Sequence, residues 1–290
     1  MSSKLFLASE TSDWDDNAAY YTALMKDGPM TMPIRAMLEH MNKVLPFESA
    51  SGIADVGCGP GTAIGELFDI YGKQISPSAR LLASDFSKGM VEQVDKRKAN
   101  NAGDNLWDRL ETDVWDLNDL NHVSDSSFSH VMGSMVFFML KDSNEALKGV
   151  NRVLKEGGII AATSWNKVEW MELAFAASGA TRPDLAAKRE TPSLPGGWTN
   201  PEEVKTTLEA AGFKDVHASY VKTSCHFDDP SAFLRWLINS KLPAVAELVR
   251  DFDEDDKTRL GDEFVKLVEQ KCGNGPKRLE GIAVEVVGRK

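Results

Sequence analysis

The stretch Ile53-Ala54-Asp55-Val56-Gly57-Cys58-Gly59-Pro60-Gly61-Thr62 constrains this chain more than any other. A short apolar run ends on an acid and passes into glycines at alternate positions, and an amphipathic helix from Thr62 to about Tyr71 follows directly. Strand, glycine loop and helix in that order build a site for a polar cofactor. Glycine lets backbone approach a ligand closely, and the helix start offers unpaired N–H groups.

The rest of the chain has to supply a sheet around that strand. Apolar runs at Arg80–Ser84, Trp107–Thr112, Phe128–Met135, Ile159–Ser164, Phe213–Val221 and Ile282–Val287 read as the other strands, the last closing the sheet. Helical patterns fall between them at Ser87–Lys98, Ser143–Leu154 and from Asn200-Pro201 to Gly212, with Glu169–Ala177, Ser231–Asn239 and Glu254–Cys272 besides. Lys155-Glu156-Gly157-Gly158 reads as the turn that ends one of them. Strands alternating with helices predict a doubly wound, mostly parallel, seven-stranded Rossmann-like α/β sheet, whose ligand edge is the carboxyl ends of the strands. Asp85-Phe86, Asp113–Trp115, Ser134 and Trp165-Asn166 all fall at that edge with the glycine loop.

Two helices precede the first strand, Trp14–Lys26 and Met30–Leu45, separated by Gly28-Pro29. They pack either over the mouth of the sheet or against its edge. The expected organisation is a single domain over 1–290: a helical cap at 1–46, a cofactor-binding half at 47–165, and at 166–290 the remainder of the sheet with cap insertions.

Composition closes several other routes. With 42% hydrophobic and 27% charged residues the chain can bury a sizeable core. A net charge of −11 argues against nucleic acid as main partner, because phosphate binding needs clustered Lys and Arg. The local basic run, Lys96-Arg97-Lys98, reads as a solvated helix face. Cys58, Cys225 and Cys272 are too scattered for a disulfide framework or a zinc site, so no metal is expected. The N-terminus lacks the apolar core of a signal peptide and no apolar span is long enough to cross a membrane, which makes cytoplasm the expected compartment, with no membrane or obligate protein partner.

The glycine spacing discriminates between cofactors. A dinucleotide fingerprint wants glycines at first, third and sixth positions, and neither register here supplies the sixth: Thr62 counting from Gly57, Ile64 counting from Gly59. The pattern acid-x-Gly-x-Gly-x-Gly of Asp55–Gly61 resembles the first motif of class I S-adenosylmethionine-dependent methyltransferases. Asp85, Asp113-Val114-Trp115, Leu154–Gly158 and Leu208–Phe213 extend the resemblance over roughly residues 50–225. Trp14, Tyr20-Tyr21 and Thr163-Ser164-Trp165 look most like small-molecule methyltransferases of secondary metabolism.

That resemblance implies S-adenosylmethionine as cofactor and assigns roles. Gly57, Gly59 and Gly61 would pass beneath the methionine part, with Asp55 ordering the loop and its bound water or amino group, and Cys58 and Thr62 would belong to the same cofactor-binding set. Asp85 would accept from both ribose hydroxyls and Phe86 would pack on adenine. Asp113 would accept from the adenine amino group beside Val114 or Trp115, and Ser134 would lie near the methionine. Asp85 as a helix N-cap and Asp113 as a turn residue remain the alternatives.

Methyl transfer from a sulfonium needs the acceptor held at near-attack distance in a dry pocket, and a base only if the acceptor must lose a proton. His40, His122, His130, His217 and His226 are the candidate bases, and His130, inside a strand, reads as core. The sequence after the fourth strand, Gly133-Ser134-Met135-Val136, carries neither the Pro-Pro-aromatic motif of nucleic-acid or glutamine amide methyltransferases nor the aspartate of the metal-dependent catechol type. A small, partly aromatic or apolar acceptor is therefore expected, with Tyr20, Tyr21, Met25, Trp165, Trp170, Trp198 and Trp236 as candidate lining, and the first reading is transfer to a hydroxyl or carboxyl oxygen of a specialised metabolite. The open alternatives are an N- or C-methyltransferase and a protein that binds the cofactor as regulator or cyclisation catalyst.

Overall fold

Five strands run parallel in the computed structural model, which describes residues 14, 15, 18, 22, 28–187, 196–239 and 243–290. They are β1 (Gly52–Val56), β2 (Arg80–Asp85), β3 (Leu110–Val114), β4 (Phe128–Ser134) and β5 (Leu154–Val168). With β6 (Lys214–His226) and β7 (Arg278–Arg289) they form a seven-stranded sheet of order β3-β2-β1-β4-β5-β7-β6, in which β7 is antiparallel to both neighbours. The expected doubly wound, mostly parallel sheet is present. The last strand does not close its edge, however; it is inserted between β5 and β6. Burial explains the exchange: β7 is covered along most of its length, while β6 is largely exposed and suits an edge.

Two further strand predictions change. The segment predicted as strand from Trp107 begins as a helical turn, because Asp104 caps it by accepting from Leu106 N and Trp107 N; the strand starts only at Leu110. The Gly157-Gly158 turn lies inside β5, as a bulge between the Phe128↔Leu154 and His130↔Ile159 pairs with Gly157 at φ +72°. Pairing with β7 then carries β5 on to Val168.

Helices cover both faces: α1 (Thr31–Val44), α2 (Thr62–Tyr71), α3 (Lys88–Asn100), α4 (Asn105–Arg109), α5 (Ser143–Val153), α6 (Glu169–Thr181), α7 (Pro201–Ala210), α8 (Pro230–Asn239) and α9 (Glu254–Cys272). Their starts follow from capping residues. Asp142 accepts from Asn144 N and Glu145 N, Asn200 from Glu203 N ahead of Pro201, and Asp253 and Asp256 form a reciprocal capping box.

α1 lies on the sheet face against β5, β7 and β6 and beside α2, burying Ile34, Met37, Leu38 and Met41. Each such side chain contributes about 1.5–3 kcal/mol on leaving water. Of the helix predicted over Trp14–Lys26, Trp14, Asp15, Ala18 and Thr22 are helical; its other residues lie outside the described ones. The core divides at the sheet: Val131 and Met132, adjacent on β4, enter separate clusters on opposite faces. His130 is fully buried, its ring nitrogens 2.9 Å from Ser129 Oγ and from Leu45 O, and burial lowers its pKa. It is a satisfied core residue, as its place in the strand predicted.

Candidate functional site

The glycine loop leaves β1 at Val56 and is fixed almost entirely by hydrogen bonds. Cys58 N donates to Ser84 O at 2.9 Å, and Gly59 N donates to Asp85 Oδ2 at 2.9 Å. Gly57 sits at φ +61°, where a Cβ would lie 2.4 Å from a Val136 methyl, so both its conformation and its surroundings require glycine. Gly59, at φ +52°, faces open space: among the described residues nothing lies within 4 Å of where its Cβ would be.

Two carboxylates flank the loop. Asp55 is buried; its Oδ2 accepts from Ile64 N at 3.0 Å in the first turn of α2, and its Oδ1 finds no hydrogen-bond partner among the described residues. Burial pushes its carboxyl up to about 8, against the Ile64 N–H, which favours the charged form. Asp85, 7% exposed, accepts from Gly59 N through Oδ2 and from Ser87 N through Oδ1, both at 2.9 Å. Burial raises it to about 6 against those two bonds. The N-cap of α3 is Ser87, whose Oγ accepts from Met90 N, so the capping alternative for Asp85 belongs to its neighbour.

Arg97 was read as part of a solvated basic run and is instead a strut. Its Nη1 donates to Gly61 O at 2.6 Å, its guanidinium lies 5.1 Å over the Trp107 ring, and burial lowers its pKa. Lys98 donates to Leu110 O at the start of β3. The local sequence holds no signal for either role, because a run of basic residues on a helix is usually solvated.

A cavity of about 440 Å³ opens over this edge of the sheet. Of the predicted cofactor residues, Asp55, Gly57, Cys58, Gly59, Thr62, Asp85, Phe86, Trp115 and Ser134 line it. Gly61, Asp113 and Val114 do not. Gly61 is turned toward Arg97 and Val94. Asp113 points back on its own loop, accepting from Val114 N and from Trp115 Nε1, both at 2.8 Å. The Val114 side chain is 48% exposed to solvent. In their place the loop after β3 presents Asp116, Leu117 and Asn118, with Asp116 Oδ1 accepting from the Asn118 backbone and side-chain nitrogens. The acid three residues beyond Asp113 was the available signal for them.

The predicted substrate residues fare differently. Trp165, Trp170 and Trp198 are buried elsewhere: Trp165 and Trp170 meet edge to face at 5.5 Å, and Trp198 stacks on Phe137 at 5.8 Å. Trp165 was placed in a loop after the strand, but β5 continues past it and turns it into the core. Trp236 also packs with core aromatics, 6.0 Å from Phe233, and does not line the cavity. Tyr20, Tyr21 and Met25 lie outside the described residues. The apolar lining comes instead from Trp14, from Met30 and Ile34 at the start of α1, and from Met135, Val136, Met139 and Leu140 after β4. None of the five histidines lines it.

These residues fit a cofactor with a cationic amino group and vicinal hydroxyls. Asp55 Oδ1 is a buried acceptor with a bond to spare, Gly59 leaves space beside the backbone, and each Asp85 oxygen retains a lone pair. Comparison with known proteins agrees. Residues 54–162 match the profile of a methyltransferase domain family. Methyltransferase ucsB of Acremonium sp is 28% identical over 282 residues, spanning 96% of this chain and 95% of the relative. The acetylaranotin bis-thiomethyltransferase of Aspergillus terreus is 26% identical over 244 residues, 83% of this chain and 79% of the relative. In fold the chain is similar to phosphoethanolamine N-methyltransferase 2 of Haemonchus contortus, solved with phosphomonomethylethanolamine and S-adenosylhomocysteine (TM-score 0.54, 15% identity) and with S-adenosyl-L-methionine (TM-score 0.53, 14% identity), each covering 98% of this chain and 60% of that one. The chain is thus an S-adenosylmethionine-dependent methyltransferase that carries a methyltransferase domain over residues 54–162 and resembles the methyltransferases of fungal secondary metabolism.

Proposed function

We propose that the chain transfers a methyl group to an oxygen, hydroxyl or carboxyl, of a small organic molecule of the specialised-metabolite kind. The observation that carries this reading is the wall of Trp14, Met30, Ile34, Met135, Met139 and Leu140, apolar and without a histidine, facing the carboxylate-flanked glycine loop across one cavity. When bound, S-adenosylmethionine supplies an activated methyl on a sulfonium. The chain's own residues then have to hold the acceptor in line and exclude water, which these side chains do. The free acceptor capacity of Asp55 and Asp85 is what would hold the cofactor's amino group and ribose hydroxyls, so neither is assigned as a base for the acceptor. An acceptor already ionised at neutral pH needs no base, and Lys141, which lines the same cavity, is a cation that would favour it. A carboxylate or acidic hydroxyl meets that condition, whereas an amine would enter as a cation beside a cation.

A sulfur acceptor is the second reading, favoured by the similarity to a bis-thiomethyltransferase, because a thiolate needs no base either. The test is transfer of labelled methyl from S-adenosylmethionine into a small-molecule extract, with the product's linkage read by mass spectrometry. An O-methyl ether or ester is expected. An S-methyl product gives the second reading, an N- or C-methyl product overturns both, and cofactor binding without transfer makes the chain a non-transferring member.

A further inference from the structure

Asp15 reaches the cofactor side of the molecule from ahead of α1. Its Oδ1 accepts from Ser87 Oγ at 2.6 Å and from Gly89 N at 2.8 Å, at the first turn of α3. Carboxylates are favoured there by the helix dipole and its unpaired donors. Ser87 is committed on every side. Its hydroxyl caps Met90 N while donating to Asp15, and its N–H donates to Asp85 Oδ1 at 2.9 Å. A chain of hydrogen bonds therefore runs from Asp15 through Ser87 to the carboxylate that faces the cavity. Trp14, the preceding residue, lines that cavity.

Gly89 shows how close the docking is. A Cβ there would fall 2.8 Å from Asp15 Cα and 2.9 Å from its carbonyl oxygen. A first-turn helix position ordinarily accepts alanine with a gain in propensity. Here the backbone of Asp15 occupies the space a side chain would need.

We propose that Asp15 is a positioning residue of the methyl-donor site: it docks Trp14 against the cavity by binding the first turn of α3, and through Ser87 this docking is coupled to the cofactor held at Asp85. Coupling of this kind is reciprocal, so cofactor must tighten the docking by the factor by which the docking tightens cofactor. A contact that served stability alone would respond to ligand only as far as the rest of the fold does. The like charges of Asp15 and Asp85 sharing one serine add to the argument, because Asp15 raises the Asp85 carboxyl and hydroxyl donors on a ligand would relieve the pair. The proposal rests on the cofactor seating against Asp85.

The experiment uses the full chain and S-adenosylhomocysteine as probe, with Asp15→Ala, Gly89→Ala and Asp85→Ala compared by dissociation rate, and Gly89 amide hydrogen exchange followed with and without the probe. Asp15→Ala and Gly89→Ala should each release the probe about five- to tenfold faster, even though alanine improves the helix at position 89, and the double variant should be no worse than either single one. Gly89 exchange should slow with probe, relative to amides of α9, in the natural protein and not in Asp15→Ala. Natural release rates in both variants, or Gly89 exchange indifferent to the probe, overturn the proposal. If Asp85→Ala alone releases the probe faster, the seating stands and only the coupling falls. If Asp85→Ala is also indifferent, the seating itself is wrong.

Discussion

The loops after β1 and β4 end neighbouring parallel strands and line one cavity, yet they are built by different means. The first is held by polar bonds: Asp55 to Ile64 N, Gly59 N to Asp85, and Arg97 to Gly61 O. The second is held at its start by Thr163, whose backbone and hydroxyl oxygens both accept from Met135 N at 3.1 Å. Beyond that it is packed: Phe137 and Phe138 are buried, and Phe137 is stacked under Trp198. Met135 itself is held at φ +59°, uncommon for a side chain of its size. A loop that must offer backbone donors to a polar ligand needs particular residue types at particular positions. One that only has to present apolar volume can be made from many sequences.

The two meet where Gly57 faces Val136, and the largest expected effect lies there. Gly57→Ala combines a disfavoured backbone conformation with a methyl driven into Val136, together costing about 2–4 kcal/mol. Calorimetric titration with S-adenosylhomocysteine and thermal melting should both show the loss. Met139→Ala on the other loop should change affinity for the same ligand by less than about 0.5 kcal/mol while altering acceptor turnover. Equal losses from the two variants would erase the distinction between the loops.

Within the polar half, Asp85 and Asp113 make the next comparison. Both were assigned to the cofactor on the same footing, but only Asp85 lines the cavity, while Asp113 holds the Trp115 indole. Asp85→Ala should weaken S-adenosylhomocysteine by about 1.5–3 kcal/mol, as expected for hydrogen bonds to a charged group. Asp113→Ala should cost less, acting only through the orientation of Trp115. A larger loss from Asp113 in the same titration would return the adenine contact to it and remove Asp116 from consideration.

How much could be read in advance follows the same division. The glycine loop, Asp85 and the alternation of strands and helices were legible because backbone conformation and carboxylate chemistry tie function to residue identity. Arg97 was missed because a basic run looks the same whether its guanidinium is solvated or lies beneath a loop. The tryptophans were misplaced for a related reason: Trp165 could be assigned to a loop or a core only by knowing where β5 stops, and its pairing with β7, more than a hundred residues on, decides that. The apolar wall of the cavity draws on Trp14, the start of α1 and the loop after β4, segments far apart in sequence whose meeting no local pattern encodes.

The last expected effect is a pH dependence that separates the protein alone from its complex. The Asp55 carboxyl, pushed up to about 8 by burial, binds a proton more tightly in the folded chain than in the unfolded one. The folded state therefore carries more protons over this range, and stability rises as pH falls through 8, by at most about 1.4 kcal/mol per pH unit. The cost of burying the charge is fully present above that value and is gone below the ordinary carboxylate range. His40 acts in the same direction, because its hydrogen bond to Glu285 raises it and its contribution, complete below 6.5, fades as pH rises through the raised value. Asp55→Asn should flatten the ligand-free stability curve between pH 7 and 9, and His40→Gln should leave that part of it in place. With S-adenosylhomocysteine bound, an ammonium partner for Asp55 Oδ1 favours the charged carboxylate, so affinity should improve as pH rises from 7 toward 8, the opposite slope to the ligand-free stability. Parallel slopes with and without ligand, measured by thermal melting and titration across that range, would mean that the amino group of the ligand is held elsewhere.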